Sequence, residues 1–147
     1  MRAFALAALA LLPVAGCDSA ADGLLPVEGA LVASVPPLYD RLPGDPVVVP
    51  AEVVVATTGT YDCANYRLVA DMAARPGVQR VDVRGAVASE GCLRARGPAS
   101  LAIALPAGAG AGYRVEVSGP GLPLATYVLV EEGGVYRLRT GVLYDAL

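Results

Sequence analysis

The nucleophile candidates of this 147-residue chain are four serines, Ser34, Ser89, Ser100 and Ser118. A serine attacks a carbonyl only when a neighbouring base takes its proton. The chain has no His, and no Lys occurs anywhere in it, so the common bases are missing. The serines therefore read as strand-end and turn hydroxyls. Two carboxylates roughly 5–10 Å apart could instead cleave a glycoside. Glu131 and Glu132 are adjacent, and on a strand adjacent side chains point to opposite faces. They fit a solvated turn before Gly133-Gly134 better than a catalytic pair. Asp40 and Asp45 share a loop, and Asp62 lies near Asn65. Either pair could contribute to a calcium site, but calcium wants six to eight oxygens and neither stretch has the DxDxDG order. Zinc lacks a histidine ligand altogether. The glycine-rich run 107–112 has no following Lys or Ser/Thr to cradle a phosphate. The expectation is a protein with no catalytic residues, no metal and no cofactor.

Binding is the remaining chemistry. Arg94 and Arg96 lie two apart, on one side of any strand that carries them, and could meet a carboxylate or a lipid headgroup. Tyr39, Tyr61 and Tyr66 fall in or beside loops. Tyrosine covers area at low entropic cost and is enriched at binding surfaces. The loop 38–45, with Tyr39, Asp40 and Asp45, is the first place to expect a contact. The competing reading makes the tyrosines caps on the core, with their hydroxyls at its edge, and the arginines a solvated rim.

The elements that must position these residues read as β throughout. Val81 and Val83 alternate with Arg80, Asp82 and Arg84; Tyr113, Val115 and Val117 alternate with Arg114, Glu116 and Ser118. Strict alternation marks a half-buried strand. Further runs lie at 30–35, 47–49, 53–57, 101–105, 124–130 and 135–140. Residues 92–96 fit a short strand or a loop rim. The segment 66–74 alternates like a strand, although its Ala and Met content also suits a helix. The Pro76-Gly77 turn after it favours a hairpin with 78–88. Eight or nine short strands with turn signals every 8–12 residues point to an antiparallel β-sandwich, immunoglobulin-like in general architecture. The tryptophan typical of antibody domains is absent.

The N-terminus has a different character. Arg2 precedes an apolar run from Ala3 to Leu12, too short for the roughly 20 residues that cross a bilayer. Pro13 and the small residues Ala15 and Gly16 close it. The stretch Leu12-Pro13-Val14-Ala15-Gly16-Cys17 resembles the lipobox of bacterial lipoproteins. That resemblance covers residues 1–17 only. It implies removal of residues 1–16 and acylation of Cys17, with a palmitate among three chains. It also implies membrane attachment in the cell envelope, facing the periplasm or the exterior. One acyl chain binds a bilayer only marginally, and three hold firmly. Residues 17–26 then read as a lipidated tether and 27–147 as one β domain.

Without residues 1–16, ten arginines face fourteen carboxylates, a side-chain charge of −4. No basic stripe argues for nucleic acid. With Cys17 acylated, Cys63 and Cys92 remain, and an even remainder in an oxidising compartment reads as a disulfide. Closing a loop of about 30 residues is worth roughly 3.6 kcal/mol in the chain-entropy view. The expected function is a lipid-anchored, non-enzymatic structural or protein-interaction module of the envelope. A module binding a peptide, glycan or ion is the first alternative, and a carboxylate-only hydrolase the second.

Overall fold

The computed structural model describes residues 23–36 and 50–141. Cys17, Tyr39, Asp40, Asp45 and the expected strand 47–49 lie outside them. Eight strands carry the described chain: β1 Leu31–Ser34, β2 Glu52–Thr57, β3 Tyr66–Arg75, β4 Val78–Ala88, β5 Ser100–Ala104, β6 Arg114–Gly119, β7 Leu122–Glu132 and β8 Val135–Thr140. The segment from Tyr66 is a strand, not a helix, and pairs with β4 across Pro76-Gly77. Proline sets the first turn position, and Gly77 takes the second at φ 73°, where a β-carbon is strained. At the bulge between Val69 and Ala70, β4 carries one extra residue, Arg84, against β3; Met72, opposite Val81, is exposed. The 92–96 segment is loop rim, not strand.

The strands form one sheet in the order β1-β2-β5-β3-β4-β6-β7-β8. It is mixed, which corrects the expectation of antiparallel pairing throughout. β3 runs parallel to β5, and β4 parallel to β6. The reason lies in the connections. Successive strands reverse direction, so strands two apart in sequence run the same way. The chain leaves β4 to place β5 beside β2, then returns to place β6 beside β4.

The sheet curls until its ends approach, nearly closing like a barrel. β1 packs against β6 and β8, and the Tyr127 hydroxyl donates to the Leu31 carbonyl at 3.1 Å. A cleft of about 260 Å³ between Ala33–Val35 and Tyr136–Arg139 separates the two edge strands.

The interior is aliphatic. Val53, Val55, Val81, Val115, Val117 and Leu129 are fully buried and come from β2, β4, β6 and β7. Burying a valine or leucine contributes about 1.5–3 kcal/mol, and Leu68 and Ile103, each 3% exposed, add to these six in the same cluster. Tyr61 and Tyr113 belong to the same buried cluster. They close it at opposite ends, Tyr61 after the end of β2 and Tyr113 before the start of β6.

The body begins two residues ahead of Val27. Leu25 exchanges backbone hydrogen bonds with Ala86 at 2.8 and 2.9 Å, on the upper stretch of β4 that β6 leaves unpaired. From there residues 26–30 cross to β1, and Glu28 and Ala30 accept from Gly59 and Thr58.

Candidate functional site

The chemistry that the described residues bring together lies at the end of the sheet where β2 and β4 finish. Two connections meet there, 58–65 and 89–99. Cys63 and Cys92 join them in a disulfide with Cα atoms 5.3 Å apart. Cys63 is buried and Cys92 exposed, so the bond runs from the core edge to the surface.

Asn65 staples the same two loops. Its Nδ2 donates to the Gly91 carbonyl at 2.8 Å, and its Oδ1 accepts from the Leu93 amide at 3.1 Å. Ala64 donates to the Leu93 carbonyl at 3.2 Å. Tyr61 and Gly97 exchange backbone bonds at 2.8 and 3.2 Å. A β-carbon on Gly97 would sit 2.9 Å from the Ala64 Cα, so only glycine permits this approach. Asn65 is thereby committed to holding the loops, which leaves Asp62 without its supposed calcium companion. Among the described residues no three His, Cys, Asp or Glu gather as a ligand set.

Tyr61 is a clamp, not a surface contact. It is only 5% exposed. Its hydroxyl donates to the Pro26 carbonyl at 2.8 Å and accepts from the Glu28 amide at 3.0 Å. Its ring stacks on Tyr66 with centroids 4.8 Å apart. Burial holds the phenol above its ordinary pKa range, against the opposing pull of the Glu28 amide. Tyr61 thus fastens the crossing segment 26–28 over the core. It follows the competing reading of the tyrosines as caps on the core, while its sequence setting gives no sign of the backbone groups that its hydroxyl holds.

Arg94 and Arg96 share one exposed rim with Leu93, which is 60% exposed. Arg96 approaches Asp62 at 3.9 Å, between side chains that are both largely in water. Such a pair contributes little. Sequence reasoning missed Leu93, because one leucine in a loop has no periodicity to betray it.

The opposite end carries a recess of about 450 Å³ between the β3–β4 turn and the β5–β6 connection. Arg75, Pro76, Pro106, Ala109 and Tyr113 contribute to its lining. The Tyr113 hydroxyl is buried without a hydrogen-bond partner among the described residues, and burial raises its pKa. Elsewhere the charged groups pair on the surface. Glu132 makes a two-pronged contact with Arg139, at 2.9 and 2.6 Å, which holds its carboxyl below the ordinary range. Asp82 accepts from Ser118 and from Arg80, which lowers its pKa in the same way.

No protein-family model, no curated protein and no solved structure matches this chain.

Proposed function

We propose that this protein is a lipid-anchored component of a bacterial cell envelope, tied to the membrane by acylated Cys17, whose β domain is a non-enzymatic structural or protein-interaction module. The Cys63–Cys92 disulfide carries the reading. A reducing cytosol would keep two such cysteines as thiols, whereas an exported domain keeps them bonded. The sequence Val14-Ala15-Gly16-Cys17 supplies the means of attachment. The pairing that begins at Leu25 leaves only a short tether between Cys17 and the body. The test is fractionation of bacteria producing the full chain and its Cys17→Ser variant. The full chain should sediment with membranes and resist salt extraction, and the variant should be released. Equal retention of both would reject the anchor.

The finer architecture in this reading is a two-layer sandwich, immunoglobulin-like in outline. β1-β2-β5 forms one layer and β3-β4-β6-β7-β8 the other. A single register pair, Arg67 with Ser100, joins them along one side.

A ligand-binding module is the second reading, favoured by the recess beside Tyr113. A buried hydroxyl without a partner costs about 1–3 kcal/mol, and a bound polar group would recover it. Arg75 at the rim suits a carboxylate. Titration with short peptides and small carboxylates, read by protein-detected NMR, tests it. Shifts confined to residues 74–77 and 106–113 would support it, and their absence would reject it.

A further inference from the structure

We propose that the disulfide end of the sheet is the face turned to the bilayer, with Leu93 entering the headgroup region and Arg94 and Arg96 meeting lipid phosphates; this rests on the lipid anchor at Cys17. The first support is where the chain enters. Leu25 bridges Ala86 antiparallel, two residues from the end of β4. The backbone upstream of Leu25 therefore heads toward the end where the disulfide lies.

Length decides the rest. Six residue steps separate Cys17 from Gly23, a reach of at most about 21 Å when fully extended. The opposite end lies a full β4 away. Ten steps from Ala88 to Val78 span about 34 Å. A domain anchored at Cys17 cannot stand on its Pro76-Gly77 end, because the tether does not reach that far. It stands on the disulfide end or lies on its side.

The surface chemistry selects the end. Leu93 is the most exposed large hydrophobic residue among those described, and Leu25, 41% exposed, is close to the same rim. Arg94 and Arg96 follow Leu93 in the same exposed loop, and their aliphatic stems can lie on the acyl boundary while the guanidinium groups reach phosphate. Asp62 and Glu90 share the rim and balance the two arginines. The contact therefore depends on phosphate, common to neutral and anionic phospholipids, and not on a negatively charged membrane.

The chain has no tryptophan, so one introduced indole reports its own position. Protein produced in bacteria from the full chain carrying Leu93→Trp, Ala95→Trp or Ala107→Trp would be reconstituted with phosphatidylcholine vesicles containing a bromolipid. Ala107 marks the far end and Ala95 is a second reporter at the rim, in case Leu93→Trp does not fold. The expected result is several-fold stronger quenching, with a blue-shifted emission, at 93 and 95 than at 107. Protein that floats with the vesicles but quenches equally at both ends overturns the orientation and leaves the anchor standing. Protein that does not float with them, its Cys17 unmodified by mass, overturns the anchor and the orientation together.

Discussion

Tyr61 shows how one side chain can decide where a segment lies. Its hydroxyl satisfies the Glu28 amide and the Pro26 carbonyl, and its ring is sealed under the segment it holds. Replacing it with phenylalanine keeps the ring and strands both backbone groups. Tyr61→Phe should lose about 1–3 kcal/mol, the cost of buried polar groups left unmatched. Denaturant unfolding followed by circular dichroism would measure it, and an unchanged midpoint would contradict the clamp. The tyrosine's importance was not readable from the chain, because its two bonds join residues more than thirty positions away.

The surface carboxylates give a pH signature at the same scale. Asp82 is held below the ordinary aspartate range by Ser118 first and Arg80 second. Its contribution is therefore complete above about pH 4, the unfolded value, and is lost as pH falls through the lower folded value. Asp82→Asn should remove part of that acid loss, giving a flatter decline in melting temperature below about pH 4. A variant whose acid limb matches the unaltered protein would show that the Asp82 contacts do not persist in water.

At the scale of elements, the legible strands were those whose neighbours are near in sequence. The alternation of β4 and β6 and the Pro-Gly turns carry their own local physics, and these strands appear where expected. The β3–β5 and β4–β6 pairings were not legible, since alternation tells which face of a strand is buried and nothing about its lateral neighbour. Strand spacing points to many short strands and cannot supply the order in which they pair, which here is one mixed sheet nearly closed like a barrel. The rim at 89–97 was half legible. Its cysteine announced the disulfide, while the loop's shape depends on Asn65 and Gly97, whose partners lie across the gap.

The disulfide and Asn65 hold the rim redundantly, which makes its contribution separable. The Cys63→Ser, Cys92→Ser double variant should lose about 3 kcal/mol while keeping the strand signal, since closure of a loop of this size constrains mainly the unfolded chain. Amide exchange should quicken first over residues 89–97 and leave β4 and β6 protected. Global loss of protection in the double variant would mean that the bond props up the core as well.

At the scale of the whole molecule, a small body is fastened at one end by a disulfide and a buried tyrosine, and the described chain enters it through Leu25 beside Ala86, near that same end. In the proposed function the β domain supplies the shape, and acylation of Cys17 would supply the attachment. The most direct test is the intact mass and N-terminal sequence of the protein recovered from bacterial membranes. The expected species begins at Cys17 and carries the added mass of three acyl chains with their glycerol. A chain beginning elsewhere, or beginning at Cys17 with an unmodified thiol, would contradict the account.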